Sequence, residues 1–281
     1  MIRAVLKLLR WPNLLLLLAV QLLAAVRLYD TISVPVAVLV MMTLLSTAAG
    51  YVINDILDIS ADRVNQKQNV FVSGKLAIQT GWKLYLLLLF TGFCCSLYLS
   101  YQSRWLFLGI YFAATWLLWL YSKYLKGIPV IGNLVVSLLC ALAVLILWYP
   151  VQPLAQIPLF LLYLTGFAFV VTWIREVVKD LEDMSGDRVA GYQTFPLVFG
   201  RRPAKLLVSF LTCVTTAGMI LGLLSIKGNG LLPDIMGYLT SILLVTTIVL
   251  TWINTPEGPP YHRMSFLLKL AMLTGTLSLV L

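Results

Sequence analysis

Three aspartates recur at one spacing in two parts of the chain: Asp55, Asp58 and Asp62, closed by Arg63, and Asp180, Asp183 and Asp187, closed by Arg188. Spacings of three and seven residues place each trio within roughly a 60° arc of an α-helix. Eight of the eleven acids in the chain lie in these two stretches once Glu176 and Glu182 are counted. Two carboxylates 4 Å apart repel by about 4 kcal/mol at an effective dielectric of about 20, so each stripe calls for a cation. Oxygen ligands with no His or Cys among them point to Mg²⁺, Mn²⁺ or Ca²⁺ and away from Zn²⁺. Glu176 sits one turn before Asp180 on the same stripe and can instead pair with Arg175 or Lys179. Glu182 lies off the stripe and is read as solvated or as a support to the neighbouring aspartates.

Bases are interleaved with these acids. Arg63 and Arg188 end the motifs, Arg175 and Lys179 lie about one turn before the later aspartates of the second, and Lys75 and Lys126 fall on connections. Carboxylates alone suit a bare cation. Mixed with Arg and Lys they suit a Mg²⁺–diphosphate complex, because Mg²⁺ takes one or two carboxylates and completes its shell with water and phosphate oxygens. Asn54 and Asn65 can orient the carboxylates or donate to phosphate oxygens. A single Asp-Arg motif at a helix end reads as an ordinary salt bridge or cap, but repetition of the whole pattern argues for a shared site.

The elements that must position these residues are membrane spans. With 60% hydrophobic and 11% charged residues and a mean hydropathy of +0.94, the chain is far from the roughly 25% charge of soluble domains. Apolar runs near 20 residues occur at about 11–28, 34–56, 81–100, 104–122, 129–150, 154–178, 203–225, 232–253 and 264–281. The expected fold is therefore an all-α, polytopic bundle of about nine transmembrane helices. The run behind Arg3, Lys7 and Arg10 is long for a signal peptide and is expected to remain as the first span. Nine spans put 17 of the 20 Lys and Arg residues on the N-terminal side, which marks that side as cytoplasmic. Both acidic motifs fall there, on connections expected at about 62–80 and 179–202. The net charge of +9 then reflects topology and anion handling, and no nucleic-acid partner is indicated.

The second motif follows the first by 125 residues, and each ends a long apolar run. Such duplication suggests two related halves with one central cavity between them, open to the cytoplasmic side, in a single domain spanning residues 1–281. Cys94, Cys95, Cys140 and Cys213 lie inside spans with no metal-ligand spacing and are read as small buried apolar residues. Trp116 and Trp119 are read as interfacial or packing aromatics.

The motif residues resemble those of the UbiA superfamily of intramembrane prenyltransferases. Its N-D-x-x-D-x-x-x-D-R-x-N signature is matched by Asn54, Asp55, Asp58, Asp62, Arg63 and Asn65, and its second aspartate motif by Asp180, Asp183 and Asp187. A Tyr-Ser…Leu-Lys segment is matched by Tyr121, Ser122, Leu125 and Lys126, and an Arg-Pro-x-Asn-like entry loosely by Arg10, Pro12 and Asn13. The resemblance implies that the six aspartates hold Mg²⁺ against a polyprenyl diphosphate, with Arg10, Asn13, Lys75, Tyr121, Lys126, Arg175, Lys179, Arg63 and Arg188 around the substrate. Loss of diphosphate would leave an allylic cation for a nucleophilic acceptor.

The acceptor is less directly written. The loop Asn69–Lys75 departs from the Arg-Pro found in many relatives, and the second motif, followed by Thr194–Gly200, looks closest to the geranylgeranylglycerol-phosphate branch. The expected reaction is geranylgeranyl transfer to a membrane-associated glycerophosphate lipid, with surplus bases such as Lys7, Arg10, Lys67 and Lys75 facing its phosphate. The alternatives are prenylation of an aromatic quinone precursor such as 4-hydroxybenzoate or a naphthoate and, in another class, a cation transporter. The transporter is disfavoured because both acidic motifs cap one face and alternate with bases. The expected location is a bacterial or archaeal cytoplasmic membrane, and no protein partner is indicated.

Overall fold

A computed structural model describes residues 2–64, 69–102, 105–148, 157–225, 230–253 and 259–281, and every regular element among them is helical. In chain order these are α1 (Ile2–Leu8), α2 (Trp11–Tyr29), α3 (Val34–Leu57), α4 (Ile59–Val64), α5 (Ile78–Gln102), α6 (Leu106–Lys123), α7 (Ile131–Leu145), α8 (Leu159–Val189), α9 (Phe195–Phe199), α10 (Arg201–Ser225), α11 (Leu231–Trp252) and α12 (Tyr261–Val280). Short 3₁₀ turns at Leu125–Gly127 and Ile146–Trp148 flank α7. Among the described residues, nine helices are long and apolar enough to cross a membrane, in agreement with the nine apolar runs. Pro12 and Pro35 sit in the first turns of α2 and α3, where a missing N–H costs no hydrogen bond.

Helix α3 packs on α5 and α6, and α7 packs on α8. Helix α8 also meets α10 and α12, and α2 touches both α12 and α3, which closes a ring of helices around a central space. The side chains between helices include Leu39, Leu161, Leu164, Ile174, Met264 and Leu268, all buried. Leu86, Leu87, Phe90 and Phe210 are exposed on the outer surface, as expected where lipid replaces water as solvent.

Two expectations about the acidic motifs need correction. The span placed at 154–178 is the inner part of a longer helix, because α8 has 31 residues and continues to Val189. At 1.5 Å per residue it is roughly 46 Å long, against about 30 Å of hydrocarbon. The excess corresponds to about ten residues, the stretch that carries the second motif. Charge ends the apolar run there but not the helix, since Arg, Lys, Glu and Asp at helical spacing are compatible with continued α-structure. The first trio, by contrast, is not on one unbroken helix. Asp55 lies in α3 and Asp62 in α4, while Asp58 occupies the break between them with φ −88° and ψ 6°. The motifs are thus carried largely by helices and not by the connections.

Candidate functional site

The first aspartate motif is built where α3, α4 and the start of α2 meet. Arg10, at the N-cap of α2 with φ 49°, sends Nη2 to Asp55 Oδ1 at 2.6 Å. Its guanidinium also lies over the Tyr51 ring, 5.0 Å from the centroid. Burial lowers the pKa of Arg10, but Asp55, through its charge and hydrogen bond, together with Tyr51 and Glu176 makes the net shift upward. Asn69 is buried and bridges two parts of the motif. Its Nδ2 donates to Asp62 Oδ2 at 2.7 Å and to the Asp55 carbonyl at 3.0 Å. This amide anchors the described part of the connection, where Ser73 and Lys75 N–H groups close turns onto Asn69 and Val70.

Asp58 is bonded from three separate segments. Its Oδ2 accepts from Asn54 Nδ2 at 2.5 Å and from Lys126 Nζ, and its Oδ1 accepts from the Tyr192 hydroxyl at 3.2 Å. The partners come from α3, from the 3₁₀ turn before α7 and from the segment after α8. Two close approaches hold that turn. A Cβ on Gly132 would stand 2.8 Å from the Leu125 carbonyl oxygen and 3.1 Å from Lys126 Cα, and one on Gly127 would stand 3.0 Å from the Tyr192 ring. The Gln193 N–H donates to the Gly127 carbonyl at 3.0 Å. Burial disfavours the Lys126 ammonium, but Asp58 first, then Asp187 and Asp62, reverse this and raise its pKa. Burial, with Asp58 and Asp187 behind it, also raises that of Tyr192. Carboxylates of both motifs therefore act on the same lysine and the same tyrosine, and α4 packs directly on α8.

On α8, Asp180 Oδ2 accepts from Asn133 Nδ2 of α7 at 2.8 Å. Glu176 is buried and holds two bases on its own helix: Arg175 Nη2 lies 3.1 Å from Oε1 and Lys179 Nζ 3.0 Å from Oε2. Asp187 is buried, Asp183 half-buried and Glu182 exposed, the last as expected from its place off the stripe.

A cavity of about 420 Å³ opens beside these motifs. Its polar head is lined by Arg10, Asn13, Tyr51, Asn54, Tyr121, Arg175, Glu176, Lys179 and Lys269, and its walls by apolar residues such as Leu16, Val20, Met42, Val144, Ala168 and Leu268. Six of the anticipated substrate-side residues (Arg10, Asn13, Asn54, Tyr121, Arg175 and Lys179) line this space. Lys126 instead lies on Asp58. Arg63, Lys75 and Arg188 are exposed and do not line the cavity. Arg63 and Arg188 each follow an inward aspartate by one residue, and neighbours in a helix point about 100° apart. Asn65 and Lys67 lie outside the described residues.

The structure adds Asn69, Asn133, Tyr192 and Lys269 to the site. Of these, Asn133 and Lys269 left a trace in the sequence as polar residues inside apolar runs. Trp116 and Trp119 stack with centroids 5.2 Å apart and do not line the cavity, whereas Tyr121 does. Cys140 also lines it. Cys94 and Cys213 are exposed and not buried, which fits small apolar side chains turned toward lipid.

Ring of helices, paired aspartate motifs and cavity together define an intramembrane transferase of the kind the motifs resemble, and comparison with known proteins agrees. The sequence profile of the UbiA prenyltransferase family matches residues 13–270. A digeranylgeranylglyceryl phosphate synthase from Methanospirillum hungatei JF-1 is 32% identical over 204 residues, covering 73% of this chain and 68% of that protein. One from Thermococcus gammatolerans is 30% identical over 229 residues, 80% of this chain and 77% of that protein. Among solved structures, a UbiA homologue from Aeropyrum pernix K1 superposes with a TM-score of 0.72 at 16% identity, covering 95% of this chain and 96% of that one. A homologue from Archaeoglobus fulgidus bound to DMAPP and Mg²⁺ gives 0.67 at 17% identity and 98% coverage of both. The chain belongs to the UbiA prenyltransferase family. It is an integral, multi-pass membrane enzyme that transfers prenyl groups.

Proposed function

We propose that this enzyme transfers a geranylgeranyl group from its diphosphate to a geranylgeranylglyceryl phosphate acceptor, with Mg²⁺, at the cytoplasmic face of a cell membrane. One observation carries the reading: an apolar cavity has a head lined by Arg10, Arg175, Lys179 and Lys269 and lies beside two aspartate motifs. Relatives at 30–32% identity are digeranylgeranylglyceryl phosphate synthases. The cytoplasmic assignment rests on the 17 positive charges of the N-terminal side.

The donor set fits a hard cation. Asp55, Asp58, Asp62, Asp180, Asp183 and Asp187 offer only oxygen, and Asp58, Asp62 and Asp187 all act on one lysine. These six would hold Mg²⁺, which when bound supplies positive charge to the departing diphosphate. Asp55 faces Arg10, Asp62 faces Asn69 and Asp180 faces Asn133, so cationic and amide partners orient the carboxylates.

The remaining work falls to the chain's own residues. Lys126 lies between the motifs and offsets the negative charge that grows on the leaving group as the C1–O bond breaks. Leu16, Val20, Met42 and their neighbours take the prenyl tail and keep water from the allylic cation. Attack by the acceptor hydroxyl oxygen on C1 then forms the ether bond and releases the hydroxyl proton. The test is a panel of acceptors with geranylgeranyl diphosphate held constant. Transfer to geranylgeranylglyceryl phosphate is expected. Transfer only to 4-hydroxybenzoate or a naphthoate would overturn the acceptor assignment.

A further inference from the structure

Beyond the second motif the chain is turned back at Gly191. That residue has φ 75°, and its N–H donates to the Arg188 carbonyl at 3.2 Å. The next N–H, of Tyr192, donates to the Asp187 carbonyl at 2.9 Å. These two bonds are the pairing of a Schellman end, in which a residue in the left-handed region closes the last carbonyls of a helix. Glycine adopts that region without the steric cost a Cβ brings. The turn holds Tyr192 against the end of α8, bonded through its backbone to an aspartate of the second motif, while its side chain reaches the first.

There the Tyr192 hydroxyl donates to Asp58 Oδ1 at 3.2 Å, on the carboxylate oxygen opposite the one that Asn54 and Lys126 share. The ring is itself held. Its centroid lies 5.4 Å from Lys126 Nζ, and a Cβ on Gly127 would stand 3.0 Å from it. The Gln193 N–H fastens the same segment to the Gly127 carbonyl at 3.0 Å. Backbone and ring therefore fix where the hydroxyl stands, and the hydroxyl fixes which way Asp58 faces. A phenol keeps its proton at neutral pH, so toward a carboxylate it is a donor. Unlike Lys126 it brings no positive charge to oppose a metal ion. A carboxylate has about four lone-pair sites, so a bond on Oδ1 leaves others for a metal.

We propose that Tyr192 is a positioning residue: anchored at the end of the second motif by the Gly191 turn, it orients Asp58 of the first through its hydroxyl and so raises the affinity of the paired aspartates for Mg²⁺. Partners that hydrogen-bond a metal-ligating side chain typically contribute about 10–100-fold to metal affinity or activity. The proposal deepens the reading of the six aspartates as the Mg²⁺ site and rests on it. It does not depend on which acceptor is prenylated, because metal binding precedes any choice of nucleophile.

The experiment measures Mn²⁺ binding to the full-length enzyme in detergent by electron paramagnetic resonance, without donor or acceptor. Tyr192→Phe keeps the ring and removes only the hydroxyl. The Kd for Mn²⁺ should rise about 10-fold or more, and the Mg²⁺ concentration for half-maximal diphosphate release should rise with it. Turnover at saturating Mg²⁺ should stay within about threefold of the parent, a split that a general loss of structure would not give. Gly191→Ala strains the φ 75° turn and displaces Tyr192 without touching a motif side chain, so it should weaken Mn²⁺ binding too. Added to Tyr192→Phe it should weaken binding little further, because both act through one hydroxyl. Mn²⁺ affinity unchanged in Tyr192→Phe overturns the proposal, as does a turnover loss at saturating Mg²⁺ with unchanged affinity. Asp58→Ala separates the underlying reading. If it too leaves Mn²⁺ binding unchanged, the aspartate site falls and the tyrosine role with it; if it weakens binding and Tyr192→Phe does not, the tyrosine role alone falls.

Discussion

Replacing Lys126 by Met separates the structural and chemical duties of a lysine placed between two carboxylate motifs. In the folded enzyme Lys126 Nζ donates to Asp58, whose side chain is 5% exposed, while the lysine side chain is 22% exposed. Removing one partner of a fully buried ion pair costs about 3–5 kcal/mol. Here Asp58 keeps the Asn54 amide at 2.5 Å and the Tyr192 hydroxyl at 3.2 Å, and the lysine is partly solvated. The expected cost is therefore about 1–3 kcal/mol. The loss of catalysis should be larger, about 10²–10³-fold in turnover, the range for deleting one group that faces developing negative charge. Asp58→Asn combined with Lys126→Met should regain much of the lost stability, because it leaves no uncompensated charge, yet remain inactive. The raised pKa of Lys126 adds a sign. A base raised above its ordinary value of 10.5 stabilises fully below that value and loses the contribution only as pH climbs through the folded pKa. The pair should thus give no change in stability between about pH 6 and 9. Thermal unfolding of the solubilised enzyme and Mg²⁺-dependent release of diphosphate measure the two effects. A folded Lys126→Met enzyme with turnover within about threefold of the parent would refute the electrostatic role.

Asp58→Ala and Asp183→Ala should each abolish Mg²⁺-dependent diphosphate release, as should chelation of the metal, with activity returning on Mg²⁺ addition; unchanged rates in both variants would sink the two-motif mechanism. In the same pair, thermal unfolding should show the greater loss for Asp58→Ala, since Asp58 ties together three segments and Asp183 is half-buried. Gly132→Ala places a methyl 2.8 Å from a backbone carbonyl, so the Lys126 turn must shift; a cost of about 1–3 kcal/mol and a fall in turnover should follow, whereas an unchanged enzyme would show that the turn has room to spare. Asn69→Ala leaves Asp62 and the Asp55 carbonyl without their amide donor, and unfolding should report a loss of about 1–3 kcal/mol; no measurable loss would mean that water replaces the amide.

The spans were legible because the membrane imposes them. A run near 20 apolar residues has no other stable use, and all nine appear as helices. The aspartates were legible because their spacing repeats. What the sequence hid is the set of partners that arrive from elsewhere in the chain. Tyr192 and Asn69 belong to irregular segments with no periodicity, so their approach to Asp58 and Asp62 is a tertiary fact. Asn133 was visible as a lone amide within an apolar run, but its partner Asp180 is 47 residues away. Lys269 lies inside an apolar run, and a charge so placed is itself a sign of a site. Proximity in sequence misled in the other direction: Arg63 and Arg188 touch the motifs in sequence yet face outward.

Identical spacing does not make the two motifs equivalent, and helix length accounts for the difference. Helix α3 has 24 residues, roughly 36 Å at 1.5 Å per residue, and so reaches little beyond the hydrocarbon before it ends at Leu57. Helix α8, with 31, continues for about two more turns. The first motif therefore straddles a helix end. Asp58 falls in the sparsely populated region near φ −90°, ψ 0°, which active-site residues often occupy. At that break its carboxylate can be reached from several directions, and donors from α3, the 3₁₀ turn and the segment after α8 converge on it. The second motif stays on one unbroken helix, which packs on α4 and α7. One copy thus ties several segments together at the site, while the other keeps its carboxylates on one continuous helix.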